Sequence, residues 1–339
     1  MGDADKAAAL ATELILNDHV GSLIGPIGRK EVAAVAKVAR FFGVPEIALA
    51  SDVPPTTTDE PDPVLRVRTS PSELAAAVAR HAKNELGLQR FAMLVPDNDP
   101  GREAADGFRQ ELERLGVAVV REIPFDPTAK DLGGPVKALV ALADLPPKKR
   151  KPSRVKPDFD ALFVPADAMV VRKLAPLLAY WGVAPRVVPG GTGVQLLGGS
   201  AWNHPAVIDK GEHLTTNAIF ADVFVADGDD GSSDFERRFL ARMNRRPGAF
   251  HAECWDAARV AIDTLLGAPS DRLALRDRFL QPRALTGATG ELVLRPFGRG
   301  VRFEPRVRLL TIEGDAIRPR LPERDEKARL PPAVRDPVQ

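Results

Sequence analysis

Short apolar runs alternate with amphipathic segments of helical periodicity along most of the chain. The runs VGSLIGPIG (Val20–Gly28) and VPEIALASD (Val44–Asp52) each end in small or polar residues. Between them, Lys30–Phe42 places alanine and valine side chains at helical spacing. The pattern predicts a strand, a helix and a second, parallel strand, because a parallel pair needs a crossover of this length. Ligands bind beyond the carboxyl ends of such strands, so the turns after both runs are candidates for a binding surface.

The same alternation recurs downstream. A strand over Phe91–Val95 precedes a helix from about Gly101 to Leu115, and a strand over Leu162–Val164 precedes a helix that ends near Trp181. A further strand, Val194–Leu197, ends in the turn GGSAW. Strands that alternate with helices of this length predict an α/β fold with parallel sheets. Because 339 residues exceed the size at which one hydrophobic core stops growing, we expect two lobes.

Composition narrows the function classes. The 47 Lys and Arg residues nearly balance 46 Asp and Glu residues, which gives no electrostatic case for a nucleic-acid partner. No apolar run reaches the length of a membrane span, and the first residues lack the basic and apolar regions of a signal peptide. The single cysteine, Cys254, excludes an internal disulfide and a cysteine-rich metal site, and its helical surroundings predict a buried, inert thiol.

Two segments depart from the periodic pattern. Residues 145–157 are rich in proline and basic residues, a composition that predicts an exposed loop. A nuclear signal or an anion-binding patch is the alternative for its KKRK sequence. The tail, residues 322–339, is charged and proline-rich, and we expect it to be poorly ordered.

Several blocks, in the same order along the chain, resemble the type I periplasmic solute-binding proteins of the branched-chain amino acid receptor kind. They are VGSLIGPIG, FFGVPEIALAS, the long segment from VLRVRTS to RLGVAVV, FDALFVPAD, VQLLGGSAW, ECWDAARVAIDTLL and LTGATGELVL. The resemblance implies two doubly wound parallel-sheet lobes joined by a hinge. It implies a first lobe of residues 1–69 and 221–300 and a second lobe of residues 70–220 and 301–321. A ligand would then be held in the cleft by turns of both lobes.

The start of the chain differs from the family pattern. The family begins with a strand, a helix and a second strand before the helix that here covers Lys6–Leu16. The resemblance therefore implies a first lobe that is truncated at its N-terminus. An export signal would be absent from this chain for the same reason, and the full-length protein would be periplasmic or in the cell envelope.

The resemblance also implies a set of ligand-binding residues. They are Ile27, Gly28, Arg29, Ala50, Ser51, Asp52, Asp97, Asn98, Asp167, Ser200, Trp202 and Phe250. Amino acid receptors present small hydroxyl residues and backbone N–H groups where Arg29 and Asp52 stand here, so these two side chains either pair with each other or contact the ligand. Phe250 either forms an aromatic wall or packs in the core. A small polar, amino-acid-like solute is the implied ligand.

A second resemblance lies within the same fold. The segments VQLLGGSAWNHPAVIDKG, AIFADVF and SSDFERRFLARMNRRPGAFHAECWDAARV are similar to the lipoprotein activators of penicillin-binding proteins. In those activators the bilobal domain docks a peptidoglycan synthase. The two resemblances imply different macromolecular partners, an ABC permease for the receptor and a peptidoglycan synthase for the activator. A homodimer through the first lobe is a further expectation, because a missing opening strand would leave an unpaired apolar edge.

The sequence argues against an enzyme. Its five histidines lack the i, i+4 spacing of a metal-binding helix and none neighbours a nucleophile in a recognisable turn. The run PGGTG precedes a strand, and no Gly-Lys-Ser/Thr follows it, so it predicts a turn and not a phosphate loop. We therefore expect a non-enzymatic binding protein without a cofactor or a metal.

Overall fold

The alternation of strands and helices predicted from the sequence is present in the computed structural model of the chain. The structure describes residues 2–51, 53, 60–146, 148, 150–152, 155–188, 190–208, 213–226, 232–267, 271–304 and 307–320. The helices are α1 (Ala4–Leu16), α2 (Arg29–Phe42), α3 (Pro71–Asn84), α4 (Asp99–Arg114), α5 (Gly133–Leu139), α6 (Ala168–Tyr180), α7 (Ser232–Met243), α8 (Ala249–Leu266) and α9 (Arg272–Phe279). The strands are β1 (Leu23–Ile24), β2 (Glu46–Ala48), β3 (Val64–Arg66), β4 (Phe91–Pro96), β5 (Val119–Phe125), β6 (Ala161–Val164), β7 (Gln195–Gly198), β8 (Ile219–Asp222), β9 (Arg283–Thr286), β10 (Glu291–Phe297), β11 (Gly300–Glu304), β12 (Arg308–Glu313) and β13 (Ala316–Pro319).

The chain forms two compact units. The first unit comprises residues 1–74 and 223–307, and the second comprises residues 75–222 and 308–339. The family resemblance implies a last boundary between residues 300 and 301, which would cut β11 after its first residue. The structure keeps β11 in the first unit because it pairs antiparallel with β10, from Val293 opposite Glu304 to Phe297 opposite Gly300.

The first unit contains a parallel sheet in the order β1-β2-β3, with helices on both faces. On one face, α2 buries Val32, Ala36 and Ala39 against the sheet. On the other face, side chains of α8 and α9, including Phe279, surround Ile47 of β2. α2 ends at Gly43, which adopts the left-handed conformation (φ 64°) that glycine tolerates best at a helix end. The helix therefore stops where the chain must turn back into β2.

A second sheet in the first unit is antiparallel and has the order β11-β10-β9. Its inward-facing residues, including Leu292, Leu294 and Phe303, join the same core as Ile47. Along β11 the buried and exposed residues alternate, as expected for a strand with one face on a core. This sheet therefore closes one side of the core beneath the parallel strands.

The second unit is built on a seven-stranded sheet in the order β13-β12-β8-β7-β6-β4-β5. The strands from β8 to β5 are parallel, and β12 and β13 add antiparallel strands at one edge. β4 and β6 are buried at every position, as expected for parallel strands covered on both faces. In the core, the rings of Phe108 and Phe163 stack with centroids 4.1 Å apart. The second unit is thus a doubly wound α/β unit of the kind predicted.

Two predicted segments are only partly described. In the basic segment, Arg150 donates hydrogen bonds to the backbone oxygens of Ala143 and Leu145. Residues 147, 149, 153 and 154 of that segment lie outside the described residues, as does the whole tail 322–339. The predictions of an exposed basic loop and a poorly ordered tail therefore stay predictions.

Candidate functional site

The carboxyl ends of β1, β2 and β3 lie at one edge of the first unit's parallel sheet. The turn after β1 contacts the end of β2, since the Leu49 N–H donates to the Pro26 oxygen at 3.1 Å. The end of β2 is in turn joined to β3, since Arg66 Nη1 donates to the Ser51 oxygen at 2.6 Å. The turns predicted from the sequence to bind a ligand are therefore neighbours within this unit.

The predicted residues of the first turn are open to solvent. Ile27 and Arg29 are exposed, and Gly28 is the N-cap of α2. No side chain caps this end of α2, so the first N–H groups of the helix are free of the side-chain acceptor that usually satisfies them. A helix N-terminus of this kind favours negative charge. The same turn also carries an acid, since a Cβ at Gly28 would meet a carboxylate oxygen of Glu31, in the first turn of α2. The turn therefore combines the Arg29 guanidinium with a carboxylate at the helix start.

The second predicted turn is different. The side chain of Ala50 is buried beneath α2, so only its backbone is available to a ligand. Ser51 is half-buried, and its backbone carbonyl oxygen already accepts a hydrogen bond from Arg66. Asp52 lies outside the described residues, so the choice between an Arg29–Asp52 ion pair and a ligand contact stays open.

Arg68, just beyond β3, is a residue that the sequence reasoning missed. Its Nε donates to a carboxylate oxygen of Glu253 at 3.2 Å, and Glu253 is buried. The Arg68 guanidinium carbon lies 5.3 Å from the ring centroid of Phe250, within cation–π range. The buried Glu253 carboxylate thus holds the Arg68 guanidinium over the ring of Phe250, one of the predicted ligand-binding residues. The sequence feature that could have indicated this role is the charged Arg68 in VLRVRTS, at a position where the end of a core strand would usually be apolar.

In the second unit, the residues after β4 are largely committed to their own helix. Asn98 caps α4 by accepting a hydrogen bond from the Gly101 N–H at 2.8 Å. Arg102 bonds to both Asp97 and Asp99. A side chain at Gly101 would meet the Pro96 oxygen at 2.7 Å, so the tight entry to α4 requires glycine. Asn98 is therefore the N-cap of α4, and its side-chain oxygen is already committed to that role.

The turns after β6 and β7 are also neighbours. A Cβ at Gly199 would lie 3.5 Å from the Pro165 Cα. Asp167 is exposed at the N-terminus of α6, where no side-chain hydrogen bond caps the helix, and Ser200 is half-buried. Trp202, by contrast, is buried, and its Nε1–H donates to the Val164 oxygen at 2.9 Å. The prediction of Trp202 as a ligand contact is corrected, because its ring packs inside this unit against Gly198 and Phe220.

Other site chemistries have no support in the part of the chain that the structure describes. No group of three or more His, Cys, Asp or Glu residues there could hold a metal ion. Cys254 is half-buried, and burial, followed by the charge of Glu253, raises the pKa of its thiol, which disfavours the reactive thiolate. None of the described helices has the length and apolar character needed to cross a membrane.

Comparison with known proteins supports the fold predicted from the sequence. Residues 1–143 match the family model described as periplasmic binding protein. Among curated proteins, no match to the chain was found. A leucine-binding protein from Thermotoga maritima is 18% identical, with 94% of this chain and 84% of that chain covered and a TM-score of 0.65.

Two further solved structures share the fold. An ABC transporter substrate-binding protein from Sphaerobacter thermophilus is 18% identical, with 94% and 83% coverage and a TM-score of 0.71. A solute-binding protein of an ABC transporter from Rhodopseudomonas palustris, in complex with 3,4-dihydroxybenzoic acid, is 18% identical, with 92% and 79% coverage and a TM-score of 0.63. The chain therefore has the type I periplasmic-binding-protein fold. The resemblance seen in the sequence is confirmed at this level.

Proposed function

We propose that this chain is a non-enzymatic solute-binding protein that holds a small carboxylate-bearing solute at the carboxyl edges of its parallel strands. The observation that carries the proposal is the Arg68 guanidinium, fixed over Phe250 by the buried Glu253. Charge-assisted hydrogen bonds from guanidinium to carboxylate are among the strongest that proteins make. Arg29 is a second cation at the same edge of the sheet, although the carboxylate of Glu31 at the start of α2 offsets part of the positive potential there.

The chemistry of this edge favours an acid over a neutral solute. Arg68 and Arg29 supply two cations, and Phe250 supplies an aromatic face. The buried Glu253 neutralises much of the Arg68 charge, but a planar guanidinium has donors on several sides and can bond to a second carboxylate. Amino acids and aromatic acids both carry the required group. In the second unit, Asp97, Asp167 and Ser200 are proposed as further ligand contacts.

The fold also suggests a location and a partner. Periplasmic binding proteins deliver solutes to transporters, so we propose a periplasmic or cell-envelope location and an ABC permease as the macromolecular partner. Two of the solved structures named above are solute- or substrate-binding proteins of ABC transporters, which favours the receptor over the peptidoglycan-synthase activator. Self-association of the protein through β1 is a separate proposal.

The direct test is to identify what the protein carries. Small molecules released from protein purified without denaturation would be measured by mass spectrometry, with Arg68→Ala protein prepared in parallel. A recurring, stoichiometric carboxylate-bearing solute that is lost from the Arg68→Ala protein supports the proposal. An empty wild-type protein that binds no amino acid or aromatic acid in a subsequent screen, yet binds a purified cell-wall synthase, would support the activator instead.

A further inference from the structure

A separate pocket of about 310 Å³ lies within the first unit, between β3 and the β10–β11 hairpin. Its size is near the lower end of the range for small-molecule sites, about 300–1,000 Å³. The residues that line it include three arginines, two acidic residues and four apolar side chains. They are Arg40, Ser51, Val53, Asp62, Val64, Arg66, Glu73, Phe297, Val301 and Arg302.

One end of the pocket is electrically neutral. Arg40 forms a bidentate ion pair with Asp62, with Nε and Nη2 each 3.0 Å from a carboxylate oxygen. Asp62 also accepts a hydrogen bond from the Val64 N–H at 3.2 Å. Both side chains are largely buried. Because each charge already has a bidentate partner, this end attracts no further ion.

The other end has an excess of positive charge. Glu73 accepts from Arg66 at 2.9 Å and from Arg302 at 3.4 Å, so two guanidinium groups share one carboxylate. Burial acts to raise the pKa of Glu73, but hydrogen bonds from Arg66 and Ser70 together outweigh it and the pKa is lowered, so Glu73 is ionised near neutral pH. Arg66 is further committed to the Ser51 oxygen. Arg302 is therefore the cation with donors to spare.

Arg302 also lies beside the apolar wall. Its guanidinium carbon is 5.5 Å from the ring centroid of Phe297, and the Phe297 side chain is 63% exposed. Of the residues that the structure describes, Glu73 alone bonds to the Arg302 guanidinium, through the 3.4 Å contact. Val53, Val64 and Val301 continue the apolar lining. The pocket thus combines an under-used guanidinium with an exposed aromatic face.

The hairpin that carries Phe297 and Arg302 is anchored to the rest of the pocket. The Asp62 N–H donates to the Arg299 oxygen at 2.9 Å, and a Cβ at Gly300 would lie 2.8 Å from the Asp62 oxygen. The close approach is open only to glycine at this position. The hairpin is therefore held against the loop before β3, and the pocket is a formed feature of the unit.

We propose that this pocket is a second ligand site, distinct from the proposed solute site, for a small organic monoanion. The carboxylate bonds to Arg302, and a flat apolar body lies against Phe297 and the valines. Inorganic phosphate satisfies the charge but not the apolar wall, since a fully hydrated anion gains nothing from burying those side chains. The pocket lies wholly in the first unit and includes Ser51 of the turn after β2, but it uses neither Arg68 nor Phe250, the residues that carry the proposed solute site.

Benzoate is a suitable probe, titrated into ¹⁵N-labelled protein by NMR and followed by calorimetry. Arg302→Gln should weaken benzoate binding by about ten-fold or more, since hydrogen bonds to charged groups contribute about 1.5–3 kcal/mol. Phe297→Ala should weaken it by several-fold. The matched control is Arg295→Gln, which removes the same charge from the directly opposite position of the hairpin but lies outside the pocket. It should stay within about three-fold of wild type.

The outcomes separate this site from the proposed solute site. Arg68→Lys should leave benzoate binding at this pocket unchanged. A negative result for this pocket would therefore not count against the proposed solute site. Absence of benzoate binding, or equal losses in Arg302→Gln and Arg295→Gln, would overturn the proposal. Phosphate binding as tight as that of benzoate, with no effect of Phe297→Ala, would overturn the proposal that the ligand is an organic anion with an apolar body.

Discussion

Glu46, on β2, has a fully buried side chain among the residues of the first unit. Neither carboxylate oxygen has a hydrogen-bond partner in the part of the chain that the structure describes. Burial raises the pKa of Glu46 to about 8, the charge of Arg40 opposes the rise, and that of Asp62 adds to it. The residue is therefore protonated near neutral pH, because an unpaired buried carboxylate is far more costly than a buried neutral acid.

This burial makes stability depend on pH. The folded-state pKa of Glu46 lies above the ordinary value. The stabilising contribution of its proton binding to the free energy of unfolding is therefore fully present below about pH 4.5 and is lost as the pH rises through about 8. Glu46→Gln removes the titration. We expect the free energy of unfolding of the variant to rise relative to wild type between pH 5 and pH 8, by at most about 1.4 kcal/mol per pH unit.

Urea denaturation at several pH values measures this difference. The matched control is Glu13→Gln, which changes an exposed glutamate on α1 in the same unit. A difference between Glu46→Gln and wild type that stays constant from pH 5 to pH 8 would contradict the assignment of Glu46 as a buried neutral acid.

Single residues were the hardest level to predict from the sequence. The cap at Asn98 depends only on the Gly101 N–H three residues later, so it is the kind of role that a short motif indicates. The role of Trp202 depends on a hydrogen bond to Val164, thirty-eight positions away, which no local pattern encodes. Arg68 was missed because its partner, Glu253, lies in a different part of the chain. Long-range pairing of this kind decides which polar residues are committed and which are available.

At the level of elements, β1 is the least protected strand of the first unit. It is two residues long and pairs only with β2 among the described strands. Ile24 is 50% exposed, and Leu10 and Leu14 of α1 in the same unit are also exposed. An unpaired strand with exposed apolar side chains is a template for pairing with another chain. We therefore expect the protein to self-associate through β1.

Ile24→Lys should weaken that association, because a charge on an edge strand disfavours pairing with a second chain. Light scattering over a range of concentrations would show a larger monomer fraction for the variant. Met169→Lys is the control, since Met169 is similarly exposed (55%) but lies on α6 of the second unit. A wild-type protein that is monomeric throughout, or equal effects of both variants, would contradict the expectation.

The elements themselves were predictable to within a few residues. α2 and α8 begin one and two residues earlier than their periodic cores, at Arg29 and Ala249, because a helix start depends on the preceding turn as well as on apolar spacing. β5 continues to Phe125, past the apolar run Val117–Val120, because its residues alternate between half-buried and exposed and pair with β4. The antiparallel β10–β11 pairing set the unit boundary that the resemblance placed too early.

For the whole molecule, the fold was predictable because alternating strands and helices over more than 300 residues leave few α/β architectures. The ligand was not predictable, because proteins of this fold bind different ligands. One of the solved structures is named a leucine-binding protein, and another is a complex with 3,4-dihydroxybenzoic acid. What distinguishes such proteins is the side chains at the strand ends. In this chain Arg29 and Arg68 lie there, and Arg68 is held by an ion pair with Glu253, far away in the sequence.

The central claim is that Arg68 and Arg29 bind the carboxylate of a small solute. The most direct measurement is a calorimetric titration of the co-purified solute into wild-type, Arg68→Lys and Arg29→Ala proteins. Arg68→Lys keeps the charge beside the buried Glu253 but loses the planar guanidinium. The control is Arg109→Lys, which changes an ion-paired arginine of similar exposure in the second unit (32%, against 35% for Arg68).

We predict that Arg68→Lys and Arg29→Ala each weaken binding by about ten-fold or more, since each removes charge-assisted hydrogen bonds worth about 1.5–3 kcal/mol. Arg109→Lys should bind as wild type does. Unchanged affinity in both Arg68→Lys and Arg29→Ala would contradict the account and place these arginines among the structural residues of the first unit.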